Sequence, residues 1–194
     1  MNLKCILIVT AIAFFSFNSN GQSKHGKTYK YANYDGLVMS GYQGWFRTPE
    51  DGSGKGWGHY GSGGKFDKDH NTIDFWPDVS EYKKTYETSF KFADGTKARV
   101  FSSVDKSTTD LHFKWMKDYG VDGVFMQRFF NVARNYDDPK KSQDVILRNA
   151  MAAAEDNGRA IAVMYDLSGL KSKGEDCSAI IEDWKRLVDD MRVT

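Results

Sequence analysis

In this chain, carboxylates, an arginine and flat aromatic rings recur directly behind short apolar runs. Tyr42 to Trp45 follow the apolar start of Leu37-Val-Met-Ser40, Asp105 follows Val100 to Val104, Gln127 and Arg128 follow Val121 to Met126, and Tyr165-Asp166 closes the run from Ala160. Residues of these types recognise sugars: carboxylates accept hydrogen bonds from vicinal hydroxyls, and rings stack on the C–H face of a pyranose. Each also has a plainer role. An Asp behind a strand commonly caps a helix, which suits Asp105. Asp166 is followed by Leu167-Ser-Gly rather than by a helix start and is assigned to ligand. Arg128 serves equally well as a substrate contact or as a buried ion-pair partner between strands.

His59 and Tyr60, in Gly56-Trp-Gly-His-Tyr60, stand in a glycine-rich segment from Asp51 to Gly64, where the backbone could approach a ligand closely. Other chemistries lack their residues. No cluster of His, Cys and carboxylates has metal-ligand spacing, so neither metal nor cofactor is expected. The nucleophile elbow Gly-x-Ser-x-Gly is absent. Cys177 has no convincing His partner, and His70 and His112 read as exposed and without a role.

The elements that would carry these residues follow from periodicity. A strand is predicted within Leu37 to Phe46, and Tyr86 to Phe101 reads as strand, Asp94-Gly95 turn, strand. Val100 to Val104 is predicted as a short buried strand. It leads into a helix, capped by Asp105 or Ser107, with Leu111, Trp115, Met116 and Tyr119 on one face, ended by Gly120. Val121 to Gln127 is the next strand. A helix opened by Asp138-Pro139 aligns Leu147, Ala150, Met151 and Ala154, and Ala160 to Tyr165 is the following strand. Ile180, Trp184, Leu187, Val188 and Met191 stripe a last helix. Near-continuous apolar strands alternating with helices mean a parallel α/β sheet. Without a Gly-x-Gly-x-x-Gly or P-loop between strand and helix, a (β/α)8 TIM-type barrel is preferred over an open doubly wound sheet. A full barrel takes about 250 residues. The expectation is therefore the N-terminal half of a barrel over 36–194; the alternative is a small complete α/β domain.

Residues 1–21 read as a signal peptide, with Lys4 before an apolar run and Ser19 and Gly21 before a cut at Gln22. Residues 22–35 read as a flexible lead-in. The apolar run is shorter than the ~20 residues of a membrane helix. The protein is thus expected to be exported, to the periplasm or beyond the cell, with no membrane span after cleavage. Cys5 leaves with the signal, so no internal disulfide is possible. A net charge of +1 offers no general attraction to nucleic acid.

Val38-Met-Ser-Gly-Tyr-Gln-Gly-Trp-Phe46, Gly56-Trp-Gly-His-Tyr60, Asp74-Phe-Trp-Pro-Asp78 and Gly120-Val-Asp-Gly-Val-Phe-Met-Gln-Arg128 together resemble exported glycoside hydrolases of the family 71/99-like group, relatives of endo-α-mannosidases and α-glucanases. The resemblance runs from about Gly36 to the end. It implies a (β/α)8 barrel that hydrolyses glycosidic bonds of oligo- or polysaccharides without an essential metal. It places Trp45, His59, Tyr60, Asp78, Arg128 and Asp166 on the substrate floor. Glycosidases generally use a pair of carboxyl groups. The group's catalytic glutamates belong to a later strand, so no residue here takes that role, Glu175 and Glu182 included. The chain by itself is expected to be inactive or nearly so; a non-catalytic glycan-binding protein is the alternative.

Overall fold

A computed structural model describes residues 31, 33–134, 142–170, 177–191 and 193. The signal peptide, most of the lead-in, Asp138-Pro139 and Glu175 lie outside the described residues. The elements are β1 (Met39–Tyr42), β2 (Tyr86–Lys91), β3 (Lys97–Val100), α1 (Lys106–Asp118), β4 (Gly123–Phe129), α2 (Phe130–Arg134), α3 (Ser142–Asn157), β5 (Ala160–Asp166) and α4 (Ser178–Met191).

Three strands form a parallel sheet in the order β1-β4-β5, with Met39 opposite Gly123 and Gly123 opposite Ala160. The chain is thus α/β with parallel β-α-β units, and the sheet does not close into a barrel among the described residues. The strand expected over Val100 to Val104 is not part of it. Val100 instead pairs with Tyr86 as the end of the antiparallel hairpin β2-β3, and the chain then turns, with Ser103 N donating to Phe46 O at 2.8 Å. Fully buried Val100 serves an aromatic core in the loop layer rather than the sheet.

Alternation along β4 sets the two faces of the sheet. Val124, Met126 and Arg128 are buried towards the helices, while Phe125, Gln127 and Phe129 point to the opposite side. On the helix side the core joins Val124 and Met126 to Phe113 of α1, to Ile146, Leu147, Ala150, Ala153 and Ala154 of α3, and to Leu187 and Met191 of α4. Each large aliphatic chain removed from water there contributes about 1.5–3 kcal/mol. The opposite face is partly bare: Phe125 is 37% exposed and Met164 38%. Tyr34 covers part of it, its ring 6.3 Å from that of Phe125.

Helix α1 buries Thr108, Thr109 and Phe113; of the stripe expected from its sequence, Met116 packs against the core, Leu111 and Trp115 are half-buried and Tyr119 is exposed. Gly120, at φ 77°, ends it as expected, with Val121 N reaching Met116 O at 2.8 Å. At the N-terminal ends of the strands, buried Asp122 accepts from Val38 N at 2.9 Å, its backbone bonds both Val38 O and Ala160 N, and its carboxylate lies 3.8 Å from Arg159. One residue thereby ties the starts of all three strands together.

Candidate functional site

The C-terminal ends of the three strands carry two adjoining groups of side chains. Trp45, just beyond β1, stacks on His59 with centroids 4.0 Å apart and on Phe129 of β4 at 5.9 Å, both nearly parallel. Backbone geometry brings Trp45 and His59 together. Arg47 and Gly58 exchange two hydrogen bonds of 3.1 and 3.0 Å, and a Cβ at Gly58 would stand 2.9 Å from Trp45 O, so only glycine admits this approach. His59 takes φ 57°, the one non-glycine with positive φ among the described residues. Strain of that kind gathers at functional sites. Burial, then the charge of Arg47, holds its imidazole below the usual value and so favours the neutral ring.

The polar group adjoins this stack through strand register. Asp166 pairs with Phe129, and its carboxylate accepts from Gln127 Nε2 and from Ser168 N at 2.6 Å. Hydrogen bonding by Ser168, assisted by Gln127, holds Asp166 below the usual carboxylate range. The arrangement is an ionised acceptor beside an aromatic platform, suited to a polyhydroxylated ligand. It supplies no pair of carboxyl groups flanking a bond: Asp166 is the carboxylate joined to this rim among the described residues.

Trp45, His59 and Asp166 are therefore brought together at the rim, and three other expected residues are not. Tyr60 is 1% exposed at the centre of the loop-layer core, among Phe46, Trp57 and Phe66, with its hydroxyl donating to Phe101 O at 2.8 Å. It is corrected to a core residue. Arg128 is corrected likewise: 4% exposed, it binds Asp183 through Nε and Nη2 at 2.5 and 2.8 Å, and Asp144 at 2.9 Å. Tyr165 and Arg186 complete that cluster, donating to Asp183 at 2.8 and 2.9 Å. Asp78 is exposed, accepts from Ser80 N at 2.9 Å and acts electrostatically on Tyr82; none of its described contacts joins it to Trp45 or Asp166.

At the same end of the sheet, Phe129 was not named from the sequence, and Gln127 was named only for its place at a strand end. The signal was available: alternation that turns Val124 and Met126 inward must turn Arg128 inward too and present 127 and 129 on the other face. Asp105 is not a side-chain cap; its carboxylate takes Lys84 Nζ at 2.6 Å and Tyr86 Oη at 2.8 Å. His112 is not exposed either. Its Nδ1 meets Tyr42 Oη at 2.9 Å and its Nε2 meets Tyr82 Oη at 2.6 Å, so a neutral ring donates to one hydroxyl and accepts from the other.

No protein-family model and no curated protein matches the chain. Among solved structures it is similar to the GH99 endo-alpha-mannosidase from Bacteroides thetaiotaomicron, at 16% identity and a TM-score of 0.46. The match covers 79% of this chain and 39% of that one, so the chain spans well under half the length of the enzyme. The described residues contain no group of three His, Cys, Asp or Glu able to hold a metal ion, and no helix long and apolar enough to cross a membrane.

Proposed function

We propose that this chain is the N-terminal part of an exported glycoside-hydrolase-like β/α protein whose strand-end rim holds an oligo- or polysaccharide. The observation that carries the reading is the continuity of the Trp45–His59–Phe129 stack with the Gln127–Asp166 pair across one end of the sheet. Aromatic faces would take the C–H side of a sugar ring, and the Asp166 carboxylate would accept from its hydroxyls. Hydrolysis needs a second carboxyl group on the far side of the bond; the proposal assigns the acid and base to chain beyond Thr194.

Calorimetric titration with α-mannan, α-glucan and xylan oligosaccharides tests this. Trp45→Ala and Asp166→Asn are each expected to weaken binding about 10- to 100-fold, the effect of losing one stacking face or one charged acceptor. Equal affinity in all three proteins would remove the rim from the site. A non-catalytic glycan-binding protein is the second reading, favoured by the one carboxylate joined to the rim among the described residues; a longer form that binds these sugars and never cleaves them would decide for it.

Export is part of the same proposal and rests on Lys4, the apolar run behind it and the small residues Ser19 and Gly21. The mature protein is expected to begin at Gln22. Intact-mass analysis of material recovered outside the cytoplasm reads this directly, and a chain that retains Met1 to Gly21 there argues for an anchor instead.

A further inference from the structure

Trp45 and His59 stand on the two sides of the Arg47–Gly58 backbone pair, so their stack is only as exact as the arm that carries them. One buried carboxylate holds that arm. Asp51, 8% exposed, accepts from Thr48 N at 3.0 Å and from Ser102 Oγ at 2.7 Å through Oδ2, and from Ser53 N at 2.8 Å through Oδ1. Thr48 and Ser102 are fully buried, so water has no access to replace a lost bond. Burial opposes the charge of Asp51, but these hydrogen bonds, led by those of Ser53 and Ser102, outweigh it and hold the carboxyl below the ordinary range.

The bonds of Asp51 lead to the stack step by step. Thr48 follows directly on Arg47, which exchanges its two backbone bonds with Gly58, and Gly58 carries His59. Beside Ser102, Ser103 N holds Phe46 O, one residue beyond Trp45. Asp51 thus joins the turn behind β3 to the arm that carries Trp45 and, through Gly58, to His59. Its partners Thr48, Ser53 and Ser102 belong to the loop layer, and none of them is among the residues gathered at the rim.

We propose that Asp51 is the positioning residue of the ring stack: it does not touch the ligand, and it sets the face that Trp45 and His59 offer to one. The proposal takes its purpose from the glycan reading of the rim, while its geometry can be read without a sugar. Asp51→Asn tests it. The amide keeps the shape, yet whichever way it is turned its NH2 group faces either Ser53 N–H or Thr48 N–H, and one buried donor loses its acceptor. Magnetic resonance of the histidine ring protons in the full chain reads the stack directly, because an indole 4.0 Å away shifts the His59 signals by its ring current. His59→Asn identifies those signals by their loss, Asn being a residue that tolerates the φ of 57°. Trp45→Ala gives their position without the stack.

In Asp51→Asn the His59 signals are expected to move most of the way to that position. Those of His70, held by Asp67 at 2.7 Å elsewhere in the loop layer, stay in place and show that the layer is still folded. Oligosaccharide affinity falls about 3- to 10-fold, the worth of one aromatic contact. If Asp51→Asn does not fold, Ser102→Ala removes one of the three bonds and is expected to shift His59 the same way by a smaller amount. His59 signals at their wild-type position in either folded variant overturn the proposal, whether or not sugars bind. A displaced stack with wild-type sugar affinity overturns it as well. A displaced stack in a protein that binds no sugar even as wild type strikes the glycan reading alone and supports Asp51 as the group that positions the rings.

Discussion

Asp183→Asn is expected to cost about 3 kcal/mol of stability, read as a lower midpoint in denaturant at an unchanged slope. Asp183 is fully buried in the middle of α4 and is bound by Arg128, Tyr165 and Arg186. The amide keeps its shape and removes its charge. What remains is Arg128, with its side chain 3% exposed, sharing Asp144 with Arg186. Removing one partner of a buried pair strands the other charge, and the remaining Asp144 keeps the loss at the low end of the usual 3–5 kcal/mol. Asp190→Asn, at an exposed carboxylate 3.9 Å from the same Arg186, should change stability by less than about 0.5 kcal/mol. Equal effects at the two positions would mean that the cluster contributes nothing. Burial opposes the Asp183 charge, but the hydrogen bond and charge of Arg128, then Tyr165 and Arg186, outweigh it and hold the carboxyl below the ordinary range. The stability it supplies is therefore present above the unfolded carboxylate value and lost as pH falls through the depressed one.

A second loss is expected at milder acidity. Burial pushes His112 down to about 4. An unfolded histidine takes its proton near pH 6.5. Between those values the unfolded chain binds a proton that the folded chain refuses, so stability falls as the pH drops from about 6.5 to about 4, by about 3 kcal/mol in all. Structure opposes the charge in a definite way: an imidazolium donates from both nitrogens, so whichever of Tyr42 and Tyr82 donates to the neutral ring would have to turn its hydroxyl. His112→Gln removes the titration. Its stability should be nearly level across that window once the contribution of His59, common to both proteins, is subtracted. Parallel pH profiles for variant and wild type would show that His112 is not the group responsible.

Periodicity made α3, β4, β5 and the β2-β3 hairpin legible because each buries what its pattern says: Leu147, Ala150 and Ala154 line one face of α3, and Asp94-Gly95 turns the hairpin. The pattern misled in α1, which carries two stripes. Leu111, Trp115, Met116 and Tyr119 are the more apolar, yet the helix is rotated by roughly a quarter turn from that reading, so that of these Met116 packs on the core, beside buried Thr108, Thr109 and Phe113. The reason lies outside the helix, in the loop-layer residues Tyr82 and Phe101 that pack around His112 on its flank. In α4 the apolar stripe was read correctly at Leu187 and Met191, but Asp183, the most buried charge, falls between its members. A carboxylate there makes sense only once Arg128 is known to point at it. At the rim, Trp45, His59, Gln127 and Asp166 were named from residue type and place; Phe129, and how these side chains adjoin, required the register of β4 against β5.

The contact between Val38 and Asp122 spans 84 positions of sequence. Most of that span is the loop layer, so β1 can join β4 only after a long stretch of chain has surrendered its freedom. The cost of closing such a loop grows with the logarithm of its free length. The aromatic core around Tyr60, Phe66 and Val100 collapses on local contacts within that stretch, leaving far less slack for the final closure. The aromatic core of the loop layer, which takes no part in the strand-end rim, thus shortens the free chain that separates β1 from β4.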